Sequence, residues 1–220
     1  MVRCKTQNGN AMVYVLIALA LFGALTLTLS SQNDQADGQE ISDEQAELYA
    51  LELIEYAASA QNVIDQMIAT GTDIDELDFI IPTDAAFDTP PHIHKVYHPQ
   101  GGGLNYVSNL ADQFKGTGSN PNTAWFILNS TNAEWTSTTA NDIFLSALRI
   151  HPTICTRINT KISGSSNIPV TTQTIDDIFE TGAEELNSTN CPDCIGYPSF
   201  CVESSDGGNN FGFYNIIATR

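Results

Sequence analysis

Residues 11–29 carry no charge and are apolar except where Tyr14, Thr26 and Thr28 interrupt. At about 1.5 Å rise per residue, such a run makes a helix of roughly 28 Å, close to the hydrocarbon thickness of a bilayer. The preceding residues 1–9 contain Arg3 and Lys5 and no acid, and the next basic residue is Lys95. A positive flank on the N-terminal side alone predicts a single-pass inner-membrane helix over residues 10–30. The N-terminus is then cytoplasmic and everything after it lies outside.

Four readings fit an N-terminal run of this kind. A cleaved secretory signal calls for a small-residue cut site after a shorter apolar core, and Ala-x-Ala is not present near residues 26–31. An uncleaved signal anchor fits the length and the charges. A leader cut on the cytoplasmic side of the helix also fits, because the basic segment ends in Gly9 directly before the apolar run. A buried core helix is disfavoured by the one-sided basic flank.

Gly9 and the run behind it resemble the N-terminus of type IV pilins and type II secretion pseudopilins. The resemblance covers about the first 70 residues in organisation. It implies that a prepilin peptidase cuts after Gly9, that Asn10 becomes the mature N-terminus, and that other pilin-like subunits are the partners. That family usually begins its mature chain with Phe or Met and carries Glu at the fifth mature position, where this chain has Tyr14. In the family that Glu is thought to neutralise a neighbouring subunit's amine. Its replacement by Tyr14 points to a minor or tip subunit, or to a protein that never joins a filament.

The net charge of −18 argues against nucleic acid as a partner and against anionic lipid held by a basic patch. Residues 31–40 are polar, include Gly38, and read as a joint. Ser42 and Gln45 form a capping-box pair, with acids at Asp43, Glu44 and Glu47 at the positive end of the helix dipole. Ala50, Ile54, Ala57, Gln61, Ile64 and Ile68 then follow helical spacing on one face, and Gly71 reads as the stop. Residues 31–71 are thus a polar break and an amphipathic helix, packed on a sheet as in pilins, or a coiled-coil stalk.

Residues 72–220 read as an exported, disulfide-bonded α+β domain with a mostly antiparallel sheet. Strands are expected over residues 77–81, 94–97, 105–107, 124–128 and 211–218, between Pro, Gly and Asn clusters. Residues 140–162 read as a helix, interrupted or begun again at Pro152 and capped by Asn141 or Asp142. A short helix is expected over residues 176–186, followed by a Cys-bearing loop over residues 191–201. Gly101, Gly102 and Gly103 lack the spacing of a phosphate loop and signal a turn.

Of five cysteines, Cys4 precedes the membrane run. The other four, Cys155, Cys191, Cys194 and Cys201, predict two disulfides in an oxidising compartment, with three connectivities open. Cys191-Pro192-Asp193-Cys194 has the spacing of a redox pair, but its Asn/Gly/Pro-rich setting favours a structural disulfide. A four-cysteine zinc site is the alternative by count.

Three of the four histidines, His92, His94 and His98, would share one face of a strand. Zinc or copper ligation with an open position is the sharp reading of that cluster. Exposed or hydrogen-bonding imidazoles on a Pro-bounded edge strand are the favoured one. Asp73, Asp75 and Asp78, and separately Asp206, Asn209 and Asn210, offer oxygen ligands to calcium without matching a twelve-residue calcium loop. No catalytic elbow or metalloprotease helix is present in the sequence. The expectation is a pilin-like, minor subunit of a pilus or pseudopilus without catalysis. A membrane-anchored metal-binding protein or metal-dependent hydrolase, and an anchored binding domain with no filament, are the alternatives.

Overall fold

A computed structural model describes residues 41–107, 110–111, 114–116 and 124–220. The chain divides into two units, Met1–Ile41 and Ser42–Arg220, and the fold described is that of the second. The apolar run, Gly9, Asn10, Tyr14 and Cys4 lie outside the described residues. Among the described residues, no helix is long and apolar enough to cross a membrane.

The unit opens with α1, Asp43–Ala69. Ser42 accepts from the Gln45 amide while the Gln45 side chain accepts from the Ser42 amide, so the expected capping box is formed. At the other end, Gly71 at φ 106° donates to Ile68 and Thr72 donates to Met67, a Schellman stop that needs a left-handed residue. The buried stripe is Ala46, Ala50, Leu53, Ala57, Ala60, Ile64 and Met67. It alternates four- and three-residue steps and lies one position round from the expected stripe. Gln61 and Ile68 are exposed, and Leu53, Ala60 and Met67 take the inward places. The four alanines carry short side chains, so that face lies close to its neighbours, and the larger residues between them fill the gaps.

That neighbour is an antiparallel sheet of four strands in the order β1-β2-β4-β3. The strands are β1 (Ala124–Thr131), β2 (Asp142–Ile150), β3 (Ser199–Glu203) and β4 (Phe211–Ala218). The two central strands are covered on both faces. On one side lie α1 and α2 (Pro152–Ser163), where Tyr56 of α1 meets Trp125 and Trp125 meets Phe213 edge-on. On the other, Phe144, Leu148, Tyr214, Ile216, Phe200 and Val202 pack with Ile175, Ile178 and Phe179 of the short α3, Ile175–Phe179. The fold is therefore α+β with an antiparallel sheet, and α1 rests against the sheet as an integral part of the domain.

Several expected elements take another form. Residues 142–150 form the central strand β2, and the helix begins only at Pro152. All nine residues of β2 are buried. A strand covered on both faces loses the strict polar alternation of a half-buried strand, and the spacing of Ile143, Leu145, Leu148 and Ile150 does not separate it from a buried helix. Asp142, expected as a helix cap, is buried in the sheet and accepts from the Ala133 amide and the Thr136 hydroxyl. The actual cap is His151, whose Nδ1 accepts from the Thr153 amide ahead of Pro152 in the first turn.

Residues 77–81, 94–97 and 105–107 are not strands, and only an isolated bridge joins Asp78 to Lys95. The helix expected over residues 176–186 is confined to α3. The loop after Cys191 contains β3, a five-residue strand that follows Pro198 and has Cys201 at its centre.

Cys155 of α2 is bonded to Cys201 of β3, and Cys191 to Cys194. Asn159 reinforces the first link, with its side chain donating to the Cys201 carbonyl and accepting from the Cys201 amide. The two bridges close loops of very different length, at sequence separations of 46 and 3. Chain-entropy arguments assign the long loop about 2 kcal/mol more stabilisation than the short one. Replacing both Cys155 and Cys201 with Ala is expected to cost about 2–5 kcal/mol in urea unfolding, and the Cys191/Cys194 double replacement less.

Candidate functional site

The histidine cluster sits in a tightly wound loop rather than on a strand. Its backbone folds back on itself: Val96 donates to Asp78, Asp78 to His94, Gly102 to Lys95, and Leu104 to Val96. A Cβ at Gly101 would lie 2.3 Å from the Lys95 carbonyl oxygen, and one at Gly102 would lie 2.6 Å from that of Val96. The glycine run is therefore required by close backbone approach as well as by the turn.

Lys95 holds the loop together. Its side chain is buried, and Nζ donates to the carbonyls of Ala86 (2.7 Å), Phe87 (2.8 Å) and Thr89. Three carbonyl oxygens thus satisfy the three donors of one ammonium, as a buried charge requires. The segment so gripped leads into Pro90–Pro91, joined by a cis peptide bond.

Around this centre the rings of His92 and His98 stack, with centroids 4.1 Å apart and planes 7° from parallel. Phe87 also packs against His98, with ring centroids 5.0 Å apart and planes tilted by 50°. His98 Nδ1 accepts from the Gln100 amide, which places the ring proton on Nε2, 3.7 Å from the Asp88 carboxylate. His94 turns elsewhere, with Nδ1 3.6 Å from the Glu76 carboxylate. Desolvation pushes the His92 pKa below its ordinary value, and the neighbouring His98 and Lys95 push it the same way, with Asp88 opposing.

This geometry opposes metal ligation by the cluster. Ring nitrogen lone pairs lie in the ring plane, and two parallel stacked rings do not aim at a common point. Among the described residues, no group of three or more His, Cys, Asp or Glu is placed to hold a metal ion.

The acidic candidates for calcium serve local turns and an ion pair. Asp73 accepts from the Asp75 amide, Asp75 pairs with Arg220, and Asp78 accepts from the Ile80 amide. Asp206 accepts from the Gly208 amide and the Asn210 side chain. Burial alone would raise the Asp206 pKa, but hydrogen bonds from Gly208, Asn210 and Ser204 together hold it below the usual carboxylate range.

The Cys191–Cys194 pair closes a 3-10 turn, Pro192–Cys194, with both residues fully buried in the core beside Phe179 and Tyr214. No βαβ setting surrounds it. It is a structural bridge rather than an accessible redox pair.

One feature has no motif in the sequence. A cavity of about 350 Å³ lies between α1 and β1, lined by Leu53, Tyr56, Phe114 and Trp125 with Glu52 and Asn105 at its polar side. The Tyr56 and Trp125 rings lie 4.8 Å apart, and the Tyr56 hydroxyl donates to the Asn105 carbonyl. Burial raises the Tyr56 pKa to about 12, so its hydroxyl stays protonated at neutral pH. The lining residues come from separate segments, which local sequence reading does not join.

Two outcomes follow from the loop's chemistry. Lys95→Met leaves three carbonyls without their donor and is expected to cost about 3 kcal/mol in urea unfolding, with proteolysis appearing near residues 84–91. His92 is harder to protonate folded than unfolded, so between its lowered pKa and about 6.5 the unfolded chain binds more protons. Its contribution is complete above that window and is lost as pH falls through it. His92→Gln is therefore expected to flatten the fall in unfolding midpoint between about pH 7 and pH 5, and an unchanged slope rejects the assignment.

No protein-family model, no curated protein and no solved structure matches the chain.

Proposed function

We propose that this chain is a pilin-like, minor subunit of a pilus or secretion pseudopilus. It is made with residues 1–9 as a leader, processed between Gly9 and Asn10, and held in the inner membrane by residues 10–30. The unit Ser42–Arg220 is presented on the outer side. Its partners are a prepilin peptidase and other pilin-like subunits, and its work is contact rather than catalysis.

The observation that carries this reading is the order of parts along the chain. A basic leader ends in Gly directly before a bilayer-length apolar run, and a capped helix lying on an antiparallel sheet follows. The two disulfides support an oxidising location for the domain, and the charge of −18 suits a solvated outer surface. Tyr14, where an acid would neutralise a neighbouring amine, favours a minor or tip position over a repeated core position.

Processing tests the proposal. Intact-mass measurement of protein extracted from its native membrane is expected to give a chain beginning at Asn10. Gly9→Val is expected to retain Met1, because the peptidase needs a small residue before the cut. Met1 on the wild-type chain, in cells with active peptidase, rejects the pilin reading and leaves an anchored domain without a filament.

A further inference from the structure

The tripeptide Asn-Ser-Thr occurs at two described places, Asn129-Ser130-Thr131 and Asn187-Ser188-Thr189. Asn-x-Ser/Thr is the acceptor pattern for N-linked glycan transfer on outward-facing protein. The fold treats the two copies in opposite ways.

The first copy is in β1. Thr131 is paired with Asp142 in the sheet, is almost fully buried, and donates its hydroxyl to the Glu184 carbonyl. A transferase recognises the acceptor through that hydroxyl, and here it is already committed inside the fold.

The second copy lies on a surface turn just before the Cys191–Cys194 bridge. Ser188 and Thr189 are exposed, and Asn187 is half-buried. Asn187 Oδ1 accepts from the amides of Thr189 (3.0 Å) and Asn190 (2.9 Å). Donation to Oδ1 stabilises negative charge on that oxygen, so Nδ2 gives up a proton more readily, and Nδ2 takes part in none of the turn's hydrogen bonds. The turn is held from both sides: the Ser188 amide donates to Glu134, the Asn190 side chain donates to the Glu185 carbonyl, and the Thr172 hydroxyl donates to Asn190. Two residues before the asparagine stands Glu185, itself exposed. Glu185-Leu186-Asn187-Ser188-Thr189 therefore fills the longer pattern, acid-x-Asn-x-Ser/Thr, read by single-subunit bacterial oligosaccharyltransferases.

We propose that Asn187 is an N-glycosylation acceptor and that Asn129 is not. The co-substrate is a polyprenyl-diphosphate-linked oligosaccharide. Nδ2 attacks the anomeric carbon of its first sugar, and the N–C bond forms as the C–O bond to the diphosphate breaks. Polyprenyl diphosphate leaves with the electron pair, and one Nδ2 proton passes to a carboxylate base of the transferase. The glycan would stand on the face of the domain carrying the α3 and Cys191–Cys194 layer. In a cell the inference rests on the outward placement proposed above.

The test uses the purified full chain in detergent, a purified single-subunit transferase that reads the acidic pattern, and the lipid-linked oligosaccharide. Because nothing has to be exported in detergent, failure here is separate from failure of the pilin reading. Intact mass is expected to rise by one glycan, and peptide mapping is expected to place it on Asn187. Thr189→Ala keeps the backbone amide that donates to Asn187 and is expected to abolish the gain, Thr189→Ser to keep it, and Glu185→Gln to reduce it. Asn129→Gln is expected to leave it intact. Urea unfolding of Thr189→Ala is expected to match wild type, which separates loss of the acceptor from loss of the fold. An unmodified wild-type chain beside a modified control peptide overturns the proposal, and so does a glycan mapped to Asn129.

Discussion

The pairing of β2 with β4 is the interaction on which the rest of the domain depends. These strands occupy the middle of the sheet, and nearly every residue of both is buried. Each needs cover on two faces, and each face is supplied by a different part of the chain. The Ala-rich stripe of α1, with α2, covers one. The short α3, with the Cys191–Cys194 turn, covers the other. Burial at about 25 cal/mol per Å² of apolar surface is the dominant favourable term, and the sheet's own hydrogen bonds set its register.

The covering layers are fastened to the sheet by different means. The Cys155–Cys201 bond and the two-way Asn159 hydrogen bonds tie α2 to the edge strand β3. Arg149 ties α3 to β2. It sits at φ 65° in a bulge beside Ile150, its guanidinium bonded to Asp176 and Glu180 and lying over Phe126. A strained backbone at that place aims a buried cation at two acids of α3. The α1–α2 contact adds exposed ion pairs, Arg157 with Asp43 and Lys161 with Glu47, whose worth in solvent is small.

The loop over residues 78–104 solves a different problem. It lacks a sheet, so its polar backbone groups need partners of another kind. Lys95 provides them from a side chain, and the stacked pair His92–His98 with Phe87 provides a small aromatic centre. The charge inside it is positive while the surface near it is acidic, with Glu76, Asp84 and Asp88 exposed. Protonation of His92 therefore adds charge beside a buried ammonium, and the folded loop favours that ring in its neutral form.

Local signals were sufficient wherever a structure is decided by near neighbours. Ser42 with Gln45, the αL position at Gly71 and the terminal strand over residues 211–218 were all legible, because caps and an isolated apolar run between turn residues need no distant partner. The number of disulfides was legible from the even count of four cysteines after the apolar run. Their pairing was not, because it depends on α2 and β3 lying side by side. The inward face of α1 was read one position off, since two adjacent stripes of small and apolar residues repeat with the same seven-residue spacing and only the sheet chooses between them.

Residues 142–150 show the same limit: buried Asp142, Ser146 and Arg149 interrupt the apolar residues without the strict alternation that marks a half-covered strand, so only the sheet distinguishes the strand from a helix. The roles of His92, His94 and His98 were decided only by tertiary structure, because a strand would have set all three on one face and the wound loop stacks two and turns the third to Glu76. The two Asn-Ser-Thr tripeptides are identical as sequence. In one the threonine is buried at a strand end and in the other it is exposed on a turn, because only the first was needed to complete the sheet.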